Sequence, residues 1–493
     1  MYLMGIDVGT SRSKAAIYDL SGNMVASVSK EYPMIYSSKG AMELDPNVVW
    51  DAVVSCIRRC ALKCDIKLVK AIAVSSQGEA IIPVDKSGKV LLNAFVTFDS
   101  RNEKEYEWLS GQIERKEVMD ITGMPLHPMF SATKILWIRN NHPDVYKNAW
   151  KLMCFGDFVS YKLGADSCID YSLASRTMLF DFRKKEWSDK ILSICDIDRD
   201  KLPRPVPSGT EIGRISKEFV DEFGFSPDTV IVSGGHDQLC CTLGAGVLND
   251  GVAMSSFGTT ESIVCVSKNL INLDDLLDRN IPVYSYPTND LYAYMTFLTS
   301  CTLLLKWYKE KILCDFTENF YREHEERIRK DYAGPTGIYI LPYFAGAGTP
   351  SMNFKVKGSI QNLTFDVDRY GLYKAFMESV CYEERINISN MERTGIRINE
   401  LRCIGGGTRS DLWLQLKADI NRKIVASIDV SEAGCLGAAL LAGKGSGLIN
   451  NVETAIGDFI RIKKIYYPDE KNGALYDERF NNYVGFVKEA LAC

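Results

Sequence analysis

The chain has 493 residues, of which 46% are hydrophobic and 25% charged, and its formal net charge is −5. This is ordinary globular composition. At roughly 150 residues per domain it suggests two or three domains, needs no disulfide staple, and excludes collagen-like and low-complexity chains. No basic block would track a phosphate backbone, so no nucleic-acid partner is expected; the longest apolar runs, such as 435–443, fall well short of the roughly 18 residues of a membrane span, so no membrane is expected either.

The N-terminus, Met1-Tyr2-Leu3-Met4-Gly5-Ile6-Asp7, has no basic region, apolar core or cleavage site, and reads as a first strand of a cytoplasmic protein. Strands are expected at 2–6, 14–18 and 24–28, with turns at Asp7-Val8-Gly9-Thr10-Ser11 and Ser21-Gly22-Asn23. A helix follows over 47–63, then strands at 69–74 and 81–84, giving a mixed sheet with helical cover. Cys56, Cys60 and Cys64 share the spacing of an iron–sulfur ligand set, but Val49, Val53 and Ile57 lie on the same helical stripe, so these thiols are expected in a core. The 15 cysteines, an odd number without an export signal, are read as reduced. No second histidine follows His324 by four residues, so His324-Glu325 is no zinc helix.

The second half opens like the first. A strand at 251–256, the turn Phe257-Gly258-Thr259-Thr260 and a strand at 262–266 precede a helix over 371–387, a strand at 401–404, a helix from 410, a strand at 424–427 and a helix over 434–442. The repeated device points to a duplicated domain, with a boundary near 246–251 and domains at 1–246 and 247–493 on either side of a cleft.

Four loops carry the chemistry. In Asp7-Val8-Gly9-Thr10-Ser11, the glycine lets backbone approach an anion, amides and hydroxyls can donate to phosphate oxygens, and the carboxylate can hold hydrated magnesium; an ordinary hairpin is the competing reading. Gly258-Thr259-Thr260 repeats the device. Gly405-Gly406-Gly407, between a strand and a helix beginning near Ser410, would let a flat ring or a phosphate lie on bare backbone, or is simply a tight turn. Asp237, at the end of a strand in Ser233-Gly234-Gly235-His236-Asp237-Gln238, could accept a proton from an attacking hydroxyl, or merely cap the next helix. No G-x-x-x-x-G-K-[ST] is present, which excludes a P-loop.

In this order the four loops closely resemble the FGGY carbohydrate kinases. Met129-Phe130-Ser131-Ala132-Thr133-Lys134-Ile135-Leu136-Trp137-Ile138-Arg139-Asn140-Asn141 resembles that family's N-domain signature, and the stretch from Gly405 to Asp419 its adenosine site. The second signature departs from the pattern at Asn362 and Gly371. The resemblance implies an α/β fold of two actin-like ribonuclease-H domains flanking a nucleotide and sugar cleft, the first binding sugar and the second nucleotide. It also implies ATP and Mg2+, with Asp237 as general base. Asp7 and Asp237 would lie near the metal, and Gly9, Thr10, Ser11 and Lys14 near the transferred phosphate. Gly258, Thr259 and Thr260 would meet the phosphates, and Gly405, Gly406, Gly407 and Ser410 the adenosine.

The sugar is read from departures within the family. Ser75-Ser76-Gln77-Gly78-Glu79 stands where xylulose kinases have Gln-Met-His and glycerol kinases Gln-Arg-Glu, so Gly78 is expected to open volume for a polyol longer than glycerol. Asp99 and Arg101, in a segment with Thr97 for the usual tryptophan, join Gln77, Glu79, Met129, His236, Asp237 and Gln238 as expected sugar contacts. The expectation is a kinase for a pentulose such as xylulose or ribulose, the alternatives being a glycerol, erythritol or gluconate kinase. From another class, an actin-like ATP-binding assembly or regulatory protein is disfavoured by the intact Asp237. A homodimer is compatible with the sequence, in which no oligomeric state is legible.

Overall fold

Tyr2–Val8 is apolar at almost every position because it is covered on both faces. The computed structural model describes residues 1–36, 41–288 and 290–492. It places this strand between Arg12–Asp19, antiparallel, and Val69–Ser76, parallel. The sheet runs Met24–Glu31, Arg12–Asp19, Tyr2–Val8, Val69–Ser76, Val230–His236, Glu211–Arg214. Ranked in chain order among themselves, the first five read third, second, first, fourth, fifth, and Glu211–Arg214, which precedes Val230–His236 in sequence, takes the edge. The strands expected at 2–6, 14–18, 24–28 and 69–74 are present but longer than the apolar runs, because the ladder continues through polar residues such as Arg12↔Glu31 and Lys14↔Ser29; the one expected at 81–84 is shorter, Ile82–Val84, and lies outside this sheet, paired antiparallel with Lys151–Met153.

Pro46–Ala61 lies on one face of this sheet. Asp45 caps it and Pro46 starts it, where the missing N–H costs nothing. Its stripe of Val49, Val53, Cys56, Ile57 and Cys60 is buried, and burial pushes the thiols of Cys56 and Cys60 up to about 11 and 12. Cys56 and Cys60 thus belong to a packing surface, whereas Cys64 lies past the end of the helix and is only partly buried against the same core; the described cysteines are free thiols. Ala433–Gly445 also packs on Tyr2–Val8. A Cβ at Gly5 would lie 1.8 Å from the Cys435 carbonyl oxygen, so backbone meets backbone there and only glycine fits.

The second sheet repeats the arrangement. Gly251–Phe257 pairs antiparallel with Glu261–Ser267 and parallel with Ile398–Ile404, and the order Tyr292–Leu298, Glu261–Ser267, Gly251–Phe257, Ile398–Ile404, Ile424–Ile428 is again third, second, first, fourth, fifth. The doubled α/β fold expected from the two similar openings is present. By internal packing the chain forms two units: Met1–Gly246 with Pro282–Ala293 and Glu432–Ile460, and Val247–Ile281 with Tyr294–Ser431 and Arg461–Cys493. The first unit is therefore discontinuous in sequence. Among the described residues, no helix is long and apolar enough to cross a membrane.

Candidate active site

In the first unit, three parallel strands end side by side. Register pairs Asp7 with Ser75, Gly235 with Ser75 and His236 with Ser76, so Asp7, the Gln77–Glu79 loop and Asp237 emerge at one sheet edge. Crevices at the carboxyl ends of such strands are where α/β sheets bind ligands.

Asp7 is half-buried and its Oδ1 accepts a hydrogen bond from Ser75 Oγ at 2.9 Å. Burial raises its pKa, against the opposing pull of Lys14, its cross-strand partner. Lys14 Nζ lies 2.6 Å from Glu432 Oε2, just before the helix Ala433–Gly445. A Cβ at Gly434 would come within 3.0 Å of the Asp7 carboxyl carbon, so that helix begins against the carboxylate. The Gly9 turn closes through Gly9 N to Arg12 O at 3.0 Å, and it is tied to the next loop by Gln77 Nε2 donating to Gly9 O at 3.2 Å. Thr10 and Ser11 are exposed, with Thr10 Oγ1 3.4 Å from Gln77 Oε1.

Asp237 is the first residue of the helix Asp237–Gly244 and accepts from Gln238 N at 2.6 Å. Burial pushes its carboxyl up to about 7, helped by the negative charge of Asp7. His236 Nε2 stands 3.3 Å from Asp237 Oδ1, and burial drives the imidazole pKa far down, leaving the ring neutral.

The space expected at Gly78 is not open. A Cβ there would lie 3.0 Å from Arg176 Cγ, 3.1 Å from Arg176 Nε and 3.0 Å from His236 Cδ2. Arg176, absent from the sequence reading, fills the volume from a distant segment. It pairs with Glu79 Oε1, while Thr97 Oγ1 donates to Glu79 Oε2 at 2.9 Å. Glu79 has φ +63, a left-handed conformation unusual for a side-chain-bearing residue and common at functional loops. Asp99 and Arg101 turn toward each other: Nη2 to Oδ2 is 2.8 Å, Arg101 Nη1 reaches Glu43 at 2.6 Å, and the guanidinium lies 4.1 Å from the Phe95 ring centroid. Met129 is buried, its amide donating to His127 Nδ1 at 3.1 Å. Arg176 left one signal, a lone cation in the run from Ser172 to Thr177. Tyr284, which receives an Arg176 hydrogen bond, left none.

In the second unit, Gly258 N donates to Thr260 O at 3.2 Å, and the turn is anchored by Cys301 N to Thr259 O and Thr302 N to Gly258 O, both 2.9 Å. Gly405 has φ +94, which favours glycine. A Cβ on Gly407 would strike the Phe257 ring at 2.4 Å, whereas one on Gly406 would meet no described atom within 4 Å, so Gly406 presents open backbone. Ser410 caps Asp411–Asn421 through Trp413 N at 3.0 Å. Among the described residues, no group of three or more His, Cys, Asp or Glu is placed to hold a metal ion.

Residues 2–244 match the model of the N-terminal domain of the FGGY family of carbohydrate kinases, and residues 253–446 that of its C-terminal domain. A xylulose kinase of Staphylococcus epidermidis is 28% identical over 494 residues, covering 99% of this chain and 96% of that one. A glycerol kinase of Saccharolobus islandicus is 30% identical over 510 residues, covering 99% and 97%. The solved structures of a gluconate kinase and of a ligand-bound xylulose kinase, both from Lactobacillus acidophilus, each superpose with TM-score 0.90 at 26% identity, covering 100% of this chain and 98% of theirs.

Proposed function

The chain belongs to the FGGY family of carbohydrate kinases, and from that premise we propose that it transfers the γ-phosphoryl group of ATP to a hydroxyl of a five-carbon ketose such as xylulose or ribulose. As a carbohydrate kinase it is a phosphotransferase with an alcohol acceptor, for which the family implies ATP as donor. The observation that carries the reading is Asp237, a carboxylate at the strand end beside Asp7 and the Gln77–Glu79 loop. Asp237 takes the proton of the attacking hydroxyl as that oxygen bonds to the γ-phosphorus; the bond to the β–γ bridging oxygen breaks and ADP leaves. Thr10, Ser11 and Lys14 donate to the transferred group. The Gly258–Thr260 turn receives the phosphates, and adenosine lies on Gly405–Gly407 beside Ser410, the open face of Gly406 supporting a flat ring there. The first unit supplies the sugar site and the second the nucleotide site, in a cytoplasmic enzyme.

A neutral sugar suits the electrostatics better than a carboxylate sugar. Arg176 is paired by Glu79, and Arg101 by Asp99 and Glu43, so these cations are already neutralised. Buried polar atoms around Gly78 and Asp237 without a hydrogen-bond partner among the described residues include Arg176 Nε, His236 Nδ1 and Gln238 Oε1. Glycerol, with one of its three oxygens committed to the reaction, would leave such atoms unmatched, whereas a pentulose has oxygens to spare. One unmatched buried group costs about 1–3 kcal/mol, or roughly ten- to a hundredfold. The kcat/KM of some pentulose should therefore exceed that of glycerol at least about tenfold. An ADP-coupled screen over pentuloses, polyols and aldonates tests this, and a screen won by glycerol or gluconate refutes it.

The same carboxylates fit magnesium. Mg2+ is commonly bound by one or two carboxylates together with waters and substrate phosphates. Asp7 and Asp237 are two acidic oxygen donors close enough for the charge of one to raise the pKa of the other. When bound, the ion neutralises phosphate charge. Asp7→Ala should raise the Mg2+ concentration for half-maximal rate by about tenfold or more; a magnesium titration unaltered by the substitution removes Asp7 from that role.

A further inference from the structure

We propose that Arg176 is a specificity-determining residue of the sugar site, its Nε–H donating a hydrogen bond to the ketone oxygen of the pentulose. The inference rests on the pentulose reading above and adds the residue and atom that distinguish a ketose from the corresponding polyol.

Arg176 directly follows the short helix Tyr171–Ser175 and is 4% exposed. Two of its three nitrogens are fixed: Nη2 by the Glu79 carboxylate, and Nη1 by Tyr284 Oη at 2.6 Å. The guanidinium carbon sits 5.0 Å from the Phe130 ring centroid, so the fork is clamped in position and orientation. The third nitrogen, Nε, has no partner among the described residues. It lies 3.1 Å from where a side chain at position 78 would begin, with His236 Cδ2 3.0 Å from the same point. The Tyr284 ring stacks on His236 at 6.1 Å and 11°, and His236 Nε2 faces the base Asp237 at 3.3 Å. An unbroken series of contacts therefore leads from Arg176 to Asp237.

A residue serving only to neutralise Glu79 has no need of a clamped fork with a spare buried donor, which is destabilising until an acceptor fills it. The chemistry of the donor selects the partner. A guanidinium can only donate, and a ketone oxygen can only accept. A polyol hydroxyl does both, so it retains other ways of pairing if the arginine is lost. Removal of Nε–H should therefore harm the ketose more than the matching pentitol.

Arg176→Lys keeps a cation for Glu79 but has no counterpart of the Nε–H. Steady-state rates of the full chain are measured with ATP, Mg2+ and D- or L-xylulose or D- or L-ribulose, with xylitol, ribitol or arabinitol as competitive inhibitor, and ADP affinity reports on folding. For the best pentulose of the wild type, KM should rise about ten- to a hundredfold with kcat changed less than about threefold, the pattern of lost ground-state binding. The inhibition constant of the matching pentitol should rise by less than about fivefold. Should the lysine variant fail to bind ADP, Tyr284→Phe decides instead. It frees Nη1 while leaving the ring stack, and should raise the pentulose KM about three- to tenfold with a smaller effect on the pentitol. Equal weakening of pentulose and pentitol, or an unaltered pentulose KM, overturns the inference. A wild type that phosphorylates none of the four pentuloses overturns the pentulose reading itself, which separates the two failures.

Discussion

Asp237→Asn yields a folded, nucleotide-binding protein in which phosphoryl transfer is slower by about 10²–10⁴-fold, the span expected for loss of a positioned general base. The amide is nearly isosteric and its oxygen still accepts from Gln238 N, so the start of the helix Asp237–Gly244 is kept. What it loses is the role proposed for Asp237, taking a proton from the attacking hydroxyl. Sugar binding in the absence of ATP should change little, because the loss falls on the transition state. Single-turnover measurement of ADP formation separates chemistry from release, and a variant with near-normal single-turnover rate would remove Asp237 from the role of base.

That carboxylate was legible in the sequence because it belongs to a local pattern: an apolar strand, two glycines and a polar pair at the strand end. The same holds for the hairpins at Gly9 and Gly258, where period-two apolar runs flank a glycine turn, and hence for the two-sheet fold. The contents of the proposed sugar site were not legible in this way. The volume at Gly78 depends on which long side chain arrives from elsewhere, and Arg176 is 98 positions away in sequence, in a segment without a motif (176 − 78 = 98). Glycine at 78 admits a guanidinium where the sequence alone suggested a void. Asp99 and Arg101 are two residues apart, and their polarity gave no sign that they would bind each other and Glu43. Nor does chain order show that Ala433–Gly445 covers the first strand, a position it can take because glycine and alanine keep its surface low enough for backbone contact.

Lys417→Met is expected to destabilise the second unit by about 3–5 kcal/mol, the usual consequence of removing one partner from a buried ion pair. Lys417 is wholly buried beneath the Gly258–Thr260 turn's second strand, with its Nζ held by Glu261 and by Glu384 at 2.8 Å, and 4.2 Å from the Phe257 ring centroid. Ser255 Oγ donates to Glu261 at 2.6 Å and Asn421 Nδ2 to Glu384 at 2.6 Å, while Cys381 and Cys403 also act on the lysine. Glu261 is the residue after Thr260, so the cluster fixes the root of the turn proposed to receive the phosphates. Burial and the charge of Glu261 already push Glu384 up to about 7, and the two carboxylates hold Lys417 protonated well above the ordinary lysine range. Without the cation Glu384 should be harder still to ionise. A carboxyl whose folded pKa is raised binds more protons folded than unfolded, so its contribution is present below the unfolded pKa and is lost as pH rises through the folded one. The deficit of Lys417→Met relative to wild type should therefore be small near pH 5 and grow toward pH 8. At pH 8 it should appear as a fall of roughly 6–15 °C in the first calorimetric transition. Adding Glu261→Gln and Glu384→Gln leaves neutral groups that can still bond to Ser255 and Asn421, and should recover at least half of that fall. A deficit independent of pH, or no recovery in the triple variant, would show that the lysine acts by packing rather than by charge.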